Sequence, residues 1–359
     1  MNELARRLAQ RIRDVGPLSV EDYMMAALGD PTHGYYATRD PLGRDFITAP
    51  EISQMFGELI GLWCAETWRV MGAPQRLVLA ELGPGRGTLL ADALRALRLV
   101  PAFLAAAELH LVETSAALRA VQARMLAEYS PRWHRHVEEL PDGPTIVIAN
   151  EFLDALPVRQ FVRAESGWRE RRIGLGPGGG FTFILDPACV DMAGQIDAPV
   201  GGVREISTQA TLLAQWLGRR VSAQGGAALL IDYGYISGGF GDSLQALRSH
   251  RRHDFLSDPG EADLTAHVDF AAVAQAASAA GARVDGPVAQ GQFLQRLGIE
   301  ARAAGLKAAA SDQAAATIAS GYRRLVDPHA MGELFKMLAI ADPALASLAG
   351  FAEGMHDQA

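Results

Sequence analysis

A doubly wound α/β fold is predicted by three features of the sequence. An apolar run, Leu77-Val78-Leu79-Ala80-Glu81-Leu82, meets the turn Gly83-Pro84-Gly85-Arg86-Gly87 and then helically spaced apolar residues from Thr88. Further short apolar runs at 109–112, 145–149 and 227–231 alternate with segments of helical spacing. Each run ends in polar residues: Glu113, Asn150-Glu151 and Asp232. Buried parallel strands read as continuous apolar runs, and strand–helix alternation builds a parallel sheet whose ligands lie beyond the carboxyl ends of its strands.

The elements follow in order. Met1 to Asp14 carries Arg6, Arg7, Arg11 and Arg13 at helical spacing, as a transit peptide would. Glu3 and Asp14 argue instead for a solvated helix face. Ser19, with Asp22 three residues on, predicts a capped helix. Asp30 to Tyr36 reads as a turn with exposed aromatics. In Phe46-Ile47-Thr48-Ala49-Pro50-Glu51, Thr48 can cap a helix with Glu51 as reciprocal partner and Pro50 in the first turn. That helix is expected to run to about Met71, its polar first turn folding over the cleft at the glycine turn.

Helices to about Leu97 and over 117–127 flank the strand that ends at Glu113, and 133–137 offers a third strand. Arg159 to Asp186, punctuated by Ser166-Gly167 and Gly176 to Gly180, reads as an antiparallel meander inserted in the main sheet. A helix over 209–224, the strand ending at Asp232, a helix over 270–280 and a strand over 283–288 complete the alternation. From Phe293 onward the pattern is mostly helical. The expected organisation is an N-terminal helical region over 1–72 covering the cleft, an α/β domain over 73–290 and a C-terminal helical region over 291–359.

Composition sets bounds. A chain of 359 residues with 49% hydrophobic and 21% charged residues can bury a full core. A formal net charge of −8 argues against a bulk electrostatic grip on nucleic acid. Cys64 and Cys189 are too few for a disulfide framework or a cysteine-based metal site and fit a reducing compartment. No apolar run approaches the roughly 20 residues of a membrane span.

The glycine turn selects among ligands. No Lys follows Gly87, so it is not a nucleoside triphosphate loop. The third glycine comes one position earlier than in Gly-x-Gly-x-x-Gly, and Glu81 precedes the first by two. That spacing suits a ligand with no pyrophosphate and with a cationic amino group beside Glu81. S-adenosylmethionine is such a ligand. Glu113 can accept both hydroxyls of a ribose, for this ligand or for NAD. Thr48, Glu81, Gly83, Gly85, Gly87, Thr88, Glu113 and Asn150 are the candidate cofactor-binding residues.

Asn150, Glu151 and Asp154 would face a methyl acceptor. Asn-Glu-Phe-Leu is not the Asn/Asp-Pro-Pro-aromatic tetrapeptide of nucleic-acid amino-methylating enzymes, and paired carboxylates suit a guanidinium. Glu151 and Asp154 are therefore candidate catalytic residues, with capping of the next helix as the competing role. His267 is a candidate proton carrier, and Asp269 serves either beside it or as a plain helix cap. No His, Cys, Asp and Glu spacing marks a metal site, and no Gly-x-Ser-x-Gly marks a hydrolase.

The chain resembles the MidA-like family of S-adenosylmethionine-dependent methyltransferases. The matching segments run in order: Gly34-Tyr35-Tyr36, Phe46 to Glu58, Glu81 to Leu89, Asn150 to Pro157, Asp232-Tyr233-Gly234, Asp263 to Phe270 and Met331 to Lys336. The resemblance implies a class I methyltransferase fold. For the family's mitochondrial members it implies symmetric dimethylation of an arginine in a core subunit of NADH:ubiquinone oxidoreductase, supporting assembly of complex I. It further implies a protein substrate, and it is compatible with a homodimer. The chain starts near the start of the family's shared region, which leads us to expect a bacterial cytoplasmic protein; a eukaryotic one would work in the mitochondrial matrix.

Overall fold

The computed structural model describes residues 1–38, 48–192 and 198–351. The chain folds as two compact units, both discontinuous in sequence. One comprises Met1–Phe46, Asp154–Thr211 and Ser237–Asp269; the other comprises Ile47–Leu153, Leu212–Ile236 and Phe270–Ala359.

The second unit holds the central sheet. Its strands are β1 (Leu77–Leu82), β2 (Ala107–Val112), β3 (Arg132–His134), β4 (Thr145–Asn150), β5 (Gly226–Tyr235), β6 (Arg283–Ala289) and β7 (Phe335–Ala341). They lie in the order β6-β7-β5-β4-β1-β2-β3. The pairs β1–β2, β1–β4, β4–β5 and β2–β3 are parallel, whereas β7 runs antiparallel to both β5 and β6. Every residue of β1, β4 and β7 is buried, as strands covered on both faces require. Burying each Leu, Ile, Val or Phe contributes on the order of 1.5–3 kcal/mol.

β7 lies in the stretch expected to be mostly helical. Helices Gln290–Arg296, Ile299–Ala308, Asp312–Val326 and Met331–Leu334 do form there, and the chain then enters the sheet. Phe335-Lys336-Met337-Leu338-Ala339-Ile340-Ala341 is rich in good helix formers, and a short apolar run carries no periodicity to separate strand from helix. Pairing on both edges decides the outcome. Lys336, buried within the strand, keeps its ammonium satisfied by donating to the Glu333 carbonyl.

Gln54–Val70 and Thr88–Leu97 are the helices beside β1, and glycines set their separation. A Cβ on Gly57 would lie 2.7 Å from the Asp92 Cβ, and one on Gly61 2.8 Å from the Ala93 carbonyl oxygen. On the same helix Glu58, buried, accepts from Arg302 at 2.7 and 2.9 Å and from Arg95 at 3.2 Å. The burial that would raise its pKa is outweighed by these guanidinia, which hold the carboxyl below its ordinary value.

The first unit is built on an antiparallel sheet. Gly167–Leu175 pairs with Arg159–Ala164, Phe181–Val190 and the short N-terminal strand Leu18–Ser19, and Arg159–Ala164 also pairs with Val203–Ile206. The meander expected over 159–186 is thus present, with two further strands, Leu18–Ser19 from the N-terminal region and Val203–Ile206 shortly after it. Helix Glu3–Val15 buries Leu4, Leu8 and Ile12 and turns its arginines to solvent. Ser19 caps Val20–Gly29 by accepting from the Asp22 amide at 2.9 Å. The aromatics expected to be exposed are covered instead: Tyr35 is fully buried in a cluster with Leu18, Tyr23, Met24, Ile173 and Leu264, and Tyr36 is partly buried against it. A small sheet of Gln245–Arg248, Arg251–Arg252 and Asp263–Thr265 belongs to the same unit.

Replacing Gly61 with Leu forces apart two helices in contact and should lower the unfolding free energy by about 2 kcal/mol. Urea unfolding followed by circular dichroism measures this; a midpoint equal to the parent's would refute the close-approach role.

Candidate active site

The strand order reverses between β1 and β4, so the loops that follow these two strands leave the sheet in opposite directions and open a crevice. After β1 comes the glycine turn. Gly83, Gly85 and Gly87 have φ of 60°, 54° and 85°, left-handed values that an L side chain adopts only under strain. The Gly83 amide continues the sheet by donating to the Val112 carbonyl at 3.0 Å, and Gly87 closes the turn onto Pro84 at 2.7 Å. A Cβ on Gly83 would stand 2.8 Å from the Phe152 ring, and one on Gly87 3.3 Å from Leu126 Cδ1. The sequence reading reserved these glycines for a ligand's approach. At Gly83 and Gly87 the protein's own side chains impose the same requirement.

Two buried acceptors at this end of the sheet lack donors. Glu81, near the end of β1, is 3% exposed, and its Oε2 has no hydrogen-bond partner; the same holds for Oδ1 of Asn150, the last residue of β4. Burial alone pushes the Glu81 carboxyl up to about 8; burial first, and the Glu81 charge second, push the Cys64 thiol up. A buried oxygen without a donor is costly, so both atoms favour a ligand that brings N–H groups or positive charge.

Glu113 lies just past the end of β2. Its Oε1 accepts from the Ser115 amide at 2.7 Å and its Oε2 from Gln122 Nε2 at 3.3 Å. Burial raises its pKa, and these donors with the Thr114 amide and the Arg119 charge oppose the rise. Gln122, fully buried, also donates to the Gly85 carbonyl at 2.7 Å and accepts from Trp133 Nε1 at 2.8 Å. It joins the glycine turn, Glu113 and the edge of the sheet. The sequence reading missed it. Its signal is a polar residue on the face that Leu118 and Leu126 bury, at i, i+4 and i+8.

Glu151 follows β4 with φ of 50°, a left-handed conformation uncommon for a non-glycine residue and a mark of functional or tightly determined positions. Its amide extends the sheet to the Ile231 carbonyl at 2.8 Å. Its Oε1 accepts from the Ala49 amide at 3.2 Å and from Asn150 Nδ2 at 3.3 Å. The first turn of helix Ala49–Ile52 is thereby fixed to the end of β4. Thr88 Oγ1 donates to Glu51 Oε1 at 2.6 Å, fixing the same turn to the helix that follows the glycines. Thr48, buried, is the N-cap residue of Ala49–Ile52 but makes no side-chain cap bond, and the Glu51 carboxylate is engaged with Thr88. The reciprocal capping box is therefore replaced by tertiary bonds, and the helix restarts after Ser53. Phe46 and Ile47, which precede Thr48 in the same segment, lie outside the described residues. Asp232, fully buried at the end of β5, accepts from the Leu153 and Tyr233 amides, each at 2.9 Å, and so shapes the loop after Glu151.

Asp154 and His267 belong to the first unit, Glu151 to the second. Asp154 is buried, and its carbonyl accepts from the Ala266 amide at 3.0 Å. Tyr36 donates to Asp263 Oδ1 at 2.8 Å, and burial, then the charges of Asp263 and Asp154, push its phenol well up. His267 is anchored through its amide to Ser243 Oγ at 2.8 Å, and Ser243 hydrogen-bonds the buried Glu205. Burial lowers the His267 pKa, which favours a neutral imidazole at pH 7. Asp269 directly precedes helix Phe270–Ala279. No group of three or more His, Cys, Asp or Glu able to hold a metal occurs among the described residues, and no helix there is long and apolar enough to cross a membrane.

Residues 59–288 match the model of a family described as S-adenosyl-L-methionine-dependent methyltransferases. The chain is 39% identical to the mitochondrial protein arginine methyltransferase NDUFAF7 homolog of Drosophila melanogaster, over 96% of this chain and 86% of that protein. It is 35% identical to the mitochondrial NDUFAF7 of Homo sapiens, over 94% and 83%. A crystal structure of a Burkholderia thailandensis protein bound to S-adenosyl-homocysteine superposes with a TM-score of 0.84 at 30% identity, covering 98% of this chain and 95% of that one.

Gln122→Leu would strip partners from Gly85, Glu113 and Trp133 together. It should cost about 2–3 kcal/mol of stability by urea unfolding and weaken ligand binding at the glycine turn. Unchanged values for both would show that the hub is dispensable.

Proposed function

The chain belongs to this family of S-adenosyl-L-methionine-dependent methyltransferases, and from that premise we propose that it methylates an arginine side chain of a protein. The observation that carries the reading is the close relationship to proteins named arginine methyltransferases over nearly the whole chain. A crevice with unsatisfied acceptors at Glu81 and Asn150 supports it. We assign cofactor binding to Thr48, Glu81, Gly83, Gly85, Gly87, Thr88, Glu113 and Asn150. Glu113, held by Ser115 and Gln122, suits the ribose hydroxyls. Glu81 suits the methionine ammonium, Thr48 is the N-cap residue of the turn Ala49–Ile52, and Thr88 with Glu151 fixes that turn at the crevice.

When bound, S-adenosyl-L-methionine supplies an electrophilic methyl on a sulfonium. That methyl would pass to a guanidinium nitrogen as its bond to sulfur breaks, with S-adenosylhomocysteine as the leaving product. Because a protonated guanidinium has a poorly available lone pair, the protein must orient it and take a proton. We assign that to the carboxylates of Glu151 and Asp154, with His267, kept neutral by burial, as the onward acceptor. Symmetric dimethylation of a core subunit of NADH:ubiquinone oxidoreductase is the target to assay first. Two free cysteines, one of them buried, suit a reducing compartment.

Incubation with methyl-labelled S-adenosyl-L-methionine and that subunit should place the label on arginine in amino-acid analysis of the product; label on lysine or only on small molecules would refute the reading. Glu151→Gln and Asp154→Asn should each slow transfer by about 10²-fold while cofactor affinity stays within about threefold. Undiminished transfer would remove that residue from the chemistry.

Glu81 makes cofactor binding pH-dependent. With its carboxyl pushed up to about 8, it is protonated at pH 7, and a cation placed beside it favours the carboxylate. Binding should then release up to about one proton, and affinity should rise with pH until about 8 and flatten above it. Titration calorimetry in buffers of different ionisation enthalpy measures the release. Glu81→Gln should abolish it, and a buffer-independent enthalpy in the parent would refute the assignment.

A further inference from the structure

The hairpin Gln245–Arg248 and Arg251–Arg252, turning at Ser249-His250, carries a local conformational and electrostatic cost. Two-residue hairpin turns of this kind favour Asn-Gly because both central residues need positive φ. Here Ser249 and His250, both exposed, take φ of 52° and 59°. Arg248 stands directly opposite Arg251, a like-charge cross-strand pair that destabilises a ribbon. Arg251 and Arg252 are exposed and form no ion pair among the described residues. Elsewhere in the same unit Arg159, Arg171 and Arg172 are each paired with a carboxylate at 2.8, 2.5 and 2.8 Å. Arg248 makes only loose contacts, at 3.4 Å to Glu261 and 4.0 Å to Asp258.

Arg248 to His253 therefore gathers three arginines and two histidines in six consecutive residues of a chain whose net charge is −8. The strand register places Arg248 and Arg251 on one face of the ribbon and Arg252, opposite Leu247, on the other.

We propose that this hairpin is a docking arm for an acidic segment of the protein substrate, engaged through Arg251 and Arg252 with Arg248 in support. Charge complementarity is the basis. Planar guanidinia pair bidentately with carboxylates, and the acids that Arg248 already contacts show the ribbon accommodating them. A protein is favoured over nucleic acid because no Phe, Tyr or Trp stands between Arg248 and His253 to stack on bases. The proposal rests on a protein being the substrate, but its direct test does not depend on methyl transfer.

A fluorescein-labelled oligo-glutamate peptide serves as the probe, followed by anisotropy with the full-length protein at low salt. The parent should bind it and the binding should weaken with salt, and Arg251→Glu with Arg252→Glu should weaken it by about tenfold or more. Cofactor binding by calorimetry should be unchanged in the same variant. Ser249→Asn with His250→Gly should raise Tm by relieving the turn and leave peptide binding as in the parent. Equal binding by the parent and the charge-reversed variant overturns the proposal, as does tighter binding of a single-stranded oligonucleotide of the same length. Peptide binding that depends on the arm, together with no arginine methylation, would refute the proposed reaction and leave the arm standing.

Discussion

The head of the central sheet is organised around an electrostatic deficit. Glu81 Oε2 and Asn150 Oδ1 are buried at the ends of neighbouring strands, and among the described residues no group donates to either. Neighbouring acids are treated differently. Glu113 receives bonds from a backbone amide and a glutamine, Asp232 from two amides, and Glu151 from an amide and its neighbouring asparagine. Donors are thus supplied wherever a carboxylate shapes a loop and withheld where a cationic ligand is expected. In the ligand-free protein the cost at Glu81 is limited by protonation, and a bound cation would convert it to an ion pair in a low-dielectric setting.

Glu151 combines two functions that are usually separate. Its strained backbone extends the β4–β5 pairing, while its side chain holds the first turn of Ala49–Ile52. Thr88 and Glu51 hold the same turn from the other side of the switch point. The turn is thus attached to β4 and to the helix after the glycines, and removing either attachment would loosen the rim around the crevice.

Much of this was legible in the sequence because the relevant signals are local. Short apolar runs at 77–82 and 145–150, each bounded by turn residues and alternating with helical segments, read as buried strands, and glycines at alternate positions after β1 announced the left-handed turn. What was illegible depends on tertiary context. Phe335–Ala341 has helix-forming composition and becomes a strand because two edges await it. The Thr48–Glu51 spacing suggested a reciprocal cap, but Thr88 offers the carboxylate a 2.6 Å hydroxyl donor instead. Tyr35 looked exposed beside turn residues, yet the packed helices around it enclose it completely. Gln122 carried a readable signal, a polar residue on an apolar helix face, whose meaning emerges only with its three partners in place.

The place of β7 has a consequence for biosynthesis. It lies between β5 and β6, yet it is the last of the sheet's strands to be translated. Until Phe335–Ala341 leaves the ribosome, β5 presents an open apolar edge and β6 has nothing to pair with. The sheet therefore cannot close progressively from its N-terminal end. Such long-range pairing is slow and exposes adhesive strand edges on the nascent chain. Closure of the central sheet is thus a late event in synthesis, and a ribosome that stalls shortly before Phe335 would hold a chain whose β5 edge is still open.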